Sequence, residues 1–581
     1  MEKNIELLYQ NSNEPNSLLK ESIIHSKKND HRYYEKDTLF VNECYKSNDE
    51  ILKLIYQYYY HGGYSGLLFN MIKDTFIHLF IIIFSLFLMT MVDWENILDC
   101  KNCHISDYLH TNPYEHNTFF NVFSSCFGVF YFTKWIFDIL YDIRKYYKVQ
   151  SVRHVFHDKL EIQDNLLRDM KWNDILNNLI KLHNTQKYKL FDHNEPITHY
   201  EINSCISRYD NYLIAMINNE LFYSKIGCSQ VNYILPEVIE FYLRIIDWSY
   251  LNNCRLDYTF INNDRRIKLV SKIIGFKYIF FVPFKILYYI FSFIFLHAED
   301  LNSKRNDTDI SKYEWSLYSK WKFRDYNEMD HLFDRRIFIS YKYANMYIQQ
   351  RNTPISNAIN NIFLHISKGL LSFIIIISFL NDELLLELNI FNKNLLWYLA
   401  ILTFIITTTK KIIIDPKTLI YSSEKIIKNL AVYIHYFPDK WKHNCHRRFV
   451  RREFNNLYLS KFHILFYDLI NIFSLPYIFL VKIPNQIPII LQFIRDNSEY
   501  VPNIGNVCQL SHFENKSTVI DRNDKMSQSI INHEINFPEY RMKHSIKKDT
   551  KKDMTNNSNN LDIISSDSTE LEKCLYQFQN R

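Results

Sequence analysis

Four groups of residues in this sequence have types and spacings suited to chemistry. Cys100-Lys101-Asn102-Cys103-His104 has the C-x-x-C-H pattern of haem attachment, and with His110 or His116 it offers a candidate zinc set. The acidic segment around it supplies no apolar pocket for a macrocycle. A disulfide in an oxidising compartment, or two unpaired thiols, is the plainer reading. Glu328 and His331 stand at i and i+3, the spacing of di-iron helical bundles. Such sites need two of these motifs and the sequence offers one, so a surface or core-capping pair accounts for it. Gly62-Gly63-Tyr64-Ser65-Gly66 lacks the G-x-S-x-G order of a nucleophile elbow, and its glycines suit a turn from one helix into the next. The fourth group is polar chemistry inside apolar sequence: Lys277, Lys285, Lys368 and Thr407-Thr408-Thr409-Lys410-Lys411. An ionisable group there faces a bundle interior or wet cavity, or else snorkels to the interface. Snorkelling suits Lys368 and Lys411; for Lys277 and Lys285 both readings stand. A membrane cavity with basic and hydroxyl walls can hold a phospholipid headgroup while the tails stay in the bilayer.

The elements that must position these groups are mostly helical. The 581 residues include 44 Phe, 43 Tyr and 8 Trp, but only 8 Gly. So few glycines do not supply the phosphate loops and tight turns of a multidomain α/β enzyme. Neither G-x-G-x-x-G nor G-x-x-x-x-G-K-[ST] occurs. With 68 basic and 63 acidic residues the net charge is +5, without the basic excess of a nucleic-acid binder.

Four stretches are apolar enough to cross a bilayer, which takes about 20 residues in a helix. We place spans at about 67–92, 119–145, 362–387 and 393–411. The first lies too far from residue 1, behind polar sequence, to read as a signal peptide. Residues 93–118 and 381–394 are acidic, whereas Arg144, Lys145, Lys148, Arg153, Lys368, Lys410, Lys411 and Lys417 flank the opposite ends. Both acidic loops therefore read as lumenal and both termini as cytosolic. On that orientation residues 146–361 cross an even number of times, which excludes a single crossing by the apolar stretch 273–297. It must enter and return, or lie in the interface. Residues 462–494, with Pro476, Pro484 and Pro488, read as a second re-entrant hairpin, because broken backbone at membrane depth is tolerated where protein or a wet cavity satisfies it. The alternative is that both are core helices of a cytosolic domain. Residues 1–50 read as a flexible tail. Residues 51–513 form the membrane core, with cytosolic helical blocks at 146–272, 300–360 and 415–461. Residues 514–581, poor in apolar types, read as disordered.

Three motifs then point to a family. Glu314-Trp315-Ser316-Leu317-Tyr318 followed by Tyr326-Asn327-Glu328-Met329-Asp330-His331 resembles the W-S-L-Y … F-N-E-L-x-H signature of the autophagy-related protein 9 family. Tyr433-Ile434-His435-Tyr436-Phe437-Pro438-Asp439-Lys440-Trp441 resembles its H-I-H-Y-x-P-x-x-W segment, and Arg208-Tyr209-Asp210-Asn211-Tyr212 its R-F-x-N-Y segment. The resemblance covers residues 56–512. It implies an all-α polytopic membrane protein, a domain-swapped homotrimer with four spanning helices and two re-entrant segments per protomer. It implies passive, ATP-independent scrambling of phospholipids on preautophagosomal structures, cytoplasmic vesicles, Golgi and endosomal membranes. Implied partners are a lipid-transfer protein of the autophagy-related protein 2 type and autophagy recruitment factors, with no nucleic acid, cofactor, metal or enzymatic step. The family's basic pair after an Ala-Glu dipeptide corresponds to Lys304 and Arg305 after Ala298-Glu299, with a longer spacer here, and its cavity-lining polar residue corresponds to Thr408. With Lys277 and Lys285 these make up the expected lipid-translocation cavity. A scaffold that recruits autophagy factors and moves no lipid is the alternative.

Overall fold

A computed structural model describes residues 48–92, 118–185, 196–221, 233–250, 254–302, 313–350, 354–380, 385, 388–390, 393–412, 422–502, 504–513 and 525–538. The Cys100–His104 motif, Lys304 and Arg305 lie outside them. In chain order the longer helices are α1 (Asn48–Tyr60), α2 (Tyr64–Thr90), α3 (Thr118–His154), α4 (Trp172–Asn184), α5 (His199–Ile206), α6 (Arg208–Asn218), α7 (Pro236–Trp248), α8 (Asp264–Asn302), α9 (Asp330–Gln349), α10 (Pro354–Leu380), α11 (Leu395–Ile412), α12 (Ser423–Ile434), α13 (Arg448–Leu457), α14 (Lys461–Tyr477), α15 (Ile483–Asp496) and α16 (Lys525–Asn536). Shorter helical segments, among them Tyr258–Ile261 and Leu317–Phe323, and three two-stranded antiparallel pairings also occur among the described residues. In one of them β1 (Tyr313–Trp315) meets β2 (Tyr458–Ser460), with Trp315 opposite Tyr458.

The glycine cluster does turn the chain between helices. Gly62 and Gly63 take φ of 72° and 97°, values that favour glycine, and α2 starts at the next residue. A Cβ on Gly63 would lie 2.7 Å from Cγ of Asp164. That carboxylate accepts the Tyr64 backbone N–H at 3.0 Å and the Tyr58 hydroxyl at 2.6 Å, so it satisfies one orphan donor at the start of α2.

Five helical stretches are long and apolar enough to cross a membrane: Tyr64–Thr90, Asn121–Lys159, Asp264–Leu296, Asn357–Leu380 and Lys461–Asp496; Leu395–Thr407 is a shorter apolar helix. Between 6% and 28% of their apolar windows is buried within the chain. A core helix of a soluble domain would be buried nearly all round, whereas these helices leave most of their apolar surface outside the chain's own packing. The packing among them is aromatic. Phe130 stacks on Phe281 with ring centroids 4.1 Å apart, Tyr131 stacks on Tyr288 at 4.7 Å, and the Tyr131 hydroxyl donates to the Phe284 carbonyl at 3.2 Å.

The prolines do not break the backbone as their positions suggest. α8 runs unbroken through Pro283, and Pro476, Pro484 and Pro488 lie in one helical run from Lys461 to Asp496. A π-turn at Ile478–Lys482 absorbs the strain: the Ile483 N–H reaches back to the Ile478 carbonyl, which shifts the register by one. In that register the Phe479 carbonyl would face Pro484, which has no N–H. The buried Ser271 hydroxyl of α8 donates to it instead, at 2.7 Å. Beside this contact a Cβ on Gly275 would meet Cγ of Leu480 at 2.7 Å and its backbone N at 3.0 Å, so the absence of a side chain there lets α8 pack closely on the π-turn.

Composition predicts disorder throughout 514–581, and this needs correction. Residues 525–536 form α16, with Met526, Ser529 and His533 buried and Phe537 buried just beyond it. Met526, Ile530, His533 and Phe537 recur at helical spacing and pack on the main core, which outweighs the polar average of the segment.

Candidate functional site

The polar groups expected at membrane depth lie on α8, α10 and α11. Lys277 is exposed, with its ammonium 5.9 Å from the Phe281 ring centroid. Two turns on, Lys285 is paired with Glu237 in the first turn of α7 and sits over the Tyr278 ring at 5.4 Å. The other carboxylate oxygen of Glu237, Oε2, is buried with no hydrogen-bond partner among the described residues. One turn further, Tyr289 donates to Asp468 of α14, which also accepts the Tyr233 hydroxyl at 2.7 Å and is 8% exposed. An ion pair and a doubly bonded carboxylate thus sit where two apolar helices meet α7. In α11 the Thr407 hydroxyl donates to the Phe404 carbonyl at 2.8 Å and that of Thr409 to Ile405 at 2.7 Å. Such back-bonding lets a hydroxyl sit in an apolar helix without an orphan donor. Thr408 lies between them in the same helix. The structure brings Lys285 to a carboxylate and leaves Lys277 open, while Lys304 and Arg305 fall beyond the end of α8, outside the described residues.

Asp468, Glu237, Tyr233 and Tyr289 escape the sequence reading. The signal for Asp468 is present, since it is an acid inside the apolar stretch 462–494. Its tyrosine partners are distant in sequence and carry no local signature.

The three motifs meet elsewhere, in one buried polar network. Arg208 begins α6 fully buried. Its Nε donates to Asp49 Oδ2 at 2.5 Å, and its Nη2 to Asp49 Oδ1 at 3.1 Å and to the Ile504 carbonyl at 2.7 Å. Asn211, one turn on, exchanges two hydrogen bonds with Asn327: its Nδ2 donates to Asn327 Oδ1 at 2.8 Å and its Oδ1 accepts the Asn327 N–H at 2.9 Å. Asn327 holds a φ of 57°, a conformation asparagine tolerates better than most residues. Glu328 receives a forked pair from Arg336 at 2.9 and 2.7 Å, the geometry that suits a guanidinium best. Asp325 is ringed by His435 at 2.5 Å, Lys525 at 3.0 Å and Arg336 at 3.9 Å. Burial opposes its ionisation, but His435, Lys525 and Arg336 hold its carboxyl well below the usual range.

This arrangement separates Glu328 from His331. The imidazole Nδ1 of His331 lies 3.0 Å from the Tyr56 hydroxyl rather than beside the carboxylate, and burial pushes its pKa down to about 4. Among the described residues no group of three His, Cys, Asp or Glu side chains is placed to hold a metal ion. The network satisfies buried charge.

A family model described as "Autophagy protein ATG9" matches residues 45–514. The chain is 26% identical over 503 residues to autophagy-related protein 9 of Arabidopsis thaliana, covering 81% of this chain and 57% of that protein. It is 26% identical over 499 residues to the Komagataella pastoris protein of the same name, covering 80% and 54%. For that of Dictyostelium discoideum the figures are 22% over 532 residues, 85% and 72%. The chain therefore spans about half the length of most of these relatives. A cryo-EM structure of Schizosaccharomyces pombe Atg9 superposes with a TM-score of 0.57 at 21% identity, covering 80% of this chain and 98% of that one, a likeness of fold.

Proposed function

The chain belongs to the autophagy protein ATG9 family, and we propose that it is a passive, ATP-independent phospholipid scramblase of autophagosome-precursor vesicles. The reading is carried by one observation: long apolar helices with outward-facing surfaces carry ionisable and hydroxyl groups, Lys285 and Tyr289 on α8 and Asp468 on α14, with Lys285 paired to Glu237 of the adjoining α7. Polar side chains between membrane helices lower the barrier for a headgroup in transit, because they replace part of the water it leaves. Lys304 and Arg305, with the open Lys277, attract the phosphate at the cytosolic mouth. Thr408 hydrogen-bonds the headgroup on its way. Lys285 is already neutralised by Glu237 and contributes less charge than its position in the sequence suggests; the free Oε2 of Glu237 is an acceptor for a headgroup N–H.

The same reading has three protomers assembled through the exposed apolar faces, with the unbroken α8 and the Lys461–Asp496 run lying in the interface rather than entering and returning as hairpins. It puts both termini in the cytosol, on preautophagosomal, Golgi and endosomal membranes. There the protein would redistribute lipid delivered to one leaflet by a lipid-transfer protein of the autophagy-related protein 2 type. The test is scrambling by purified protein after Lys304→Leu with Arg305→Leu, and separately after Thr408→Val. Several-fold slower scrambling with an unchanged oligomeric state supports the assignment, and unchanged rates reject these residues. The scaffold alternative draws on a different observation, namely that the matching motifs lie in the buried network and not on the apolar helices.

A further inference from the structure

A cavity of about 850 Å³ opens beside the buried network, walled by α9, α12, the Tyr433–Pro438 segment and α16. Its size falls in the range of small-molecule sites. The α16 wall lies beyond residue 514, where the family match ends, so the cavity is not a feature of the matched core alone. Two of its cations are matched: Arg336 by Glu328, and Lys525 by Asp325. Lys322 is different. Its ammonium faces the Tyr318 and Tyr436 rings at 5.6 and 5.2 Å and stands 3.5 Å from the Tyr318 hydroxyl. No carboxylate lies within ion-pair distance of it among the described residues. Burial pushes its pKa down, the pull of Glu220 opposes this, and Lys440 adds to the depression. Arg335 and Lys428 add positive charge to the same cavity, Lys428 partly offset by Glu424. The rest of the wall mixes aliphatic and aromatic side chains, including Ile339, Val432, Phe437, Ile531 and Ile535, with the polar Asn218, His435, Gln528, Asn532 and Asn536.

A half-buried ammonium with no carboxylate in ion-pair contact among the described residues, set against aromatic rings, is a poor arrangement for stability alone. We propose that this cavity binds a small anionic amphiphile. Its phosphate or carboxylate would lie against Lys322, with Arg335 and Lys428 nearby, and its aliphatic body against Val432, Phe437, Ile531 and Ile535. The proposal is independent of lipid crossing, because none of these residues belongs to the translocation reading.

The test uses the full chain in discs of neutral lipid, probed with dodecyl phosphate bearing a photoactivatable diazirine on its chain. Cross-linked peptides are identified by mass spectrometry. Labelling of the peptides around Val432–Phe437 and Ile531–Ile535 is expected. Excess dodecyl phosphate should compete it away, while inorganic phosphate and dodecylphosphocholine should not. Lys322→Met should reduce this labelling about tenfold, the loss of one charge-assisted contact, at an unchanged melting temperature, and Lys322→Arg should restore it. Labelling that ignores Lys322→Met, or equal competition by dodecylphosphocholine, would overturn the proposal. Competition by inorganic phosphate as strong as by dodecyl phosphate would equally reject an amphiphile and indicate a free-anion site.

Discussion

Individual residues divide between those that hold charge in the interior and those that meet the membrane. Arg208 illustrates the first kind. Its forked contact with Asp49 is fully buried, and breaking one side leaves an uncompensated charge. Arg208→Met should therefore destabilise the protein by about 3–5 kcal/mol, whereas replacing both partners by apolar residues should cost much less; thermal melts of the single and double variants check this. Two histidines set a pH dependence. Burial pushes His331 down to about 4 and His533 to about 3, against an ordinary value near 6.5. Between these limits the unfolded chain binds more protons than the folded one, so stability is full above about pH 6.5 and falls as the pH is lowered. At pH 5 the loss should reach about 2 kcal/mol for each histidine. Melts from pH 7.5 to 5 should show it, and His331→Gln should flatten the slope. The lysines within apolar sequence stand out in the sequence because charge there is rare. That Lys285 would find Glu237, and that Asp468 would find two tyrosines, depends on side chains more than 40 positions apart or on another helix, and no local pattern encodes it.

At the scale of elements, apolar length told which segments become long helices, and proline position misled. Pro484 suggests a break, yet the π-turn and the Ser271 hydroxyl keep the run helical. Ser271→Ala leaves the Phe479 carbonyl buried without its donor and should cost about 1–3 kcal/mol. Hydrogen exchange at Ile478–Lys482 should rise in that variant and hardly change elsewhere. α16 makes the opposite point. Its mean composition is polar, but four residues at helical spacing suffice to dock it, and Lys525 anchors it by donating to the Phe323 carbonyl at 3.0 Å while pairing with Asp325. Lys525→Met should loosen α16 and remove one of the cations that keep Asp325 ionised. Faster proteolysis near residue 525 at unchanged membrane insertion would report it.

For the whole molecule, the family and the helical membrane character were readable from motifs and apolar runs. The convergence of all three motifs on one network was not, because Asp49, Arg208, Asn327, Arg336 and His435 are spread over most of the chain. The outward-facing apolar helices and the polar cluster between them lead to the central claim, passive movement of phospholipid between leaflets. The most direct measurement is scrambling by the purified protein in sealed liposomes, with a headgroup-labelled phospholipid, a membrane-impermeant quencher and no ATP. The account predicts that nearly all of the label becomes accessible to the quencher. Loss of only the outer-leaflet fraction, equal to that of protein-free liposomes, would contradict it and leave a scaffold.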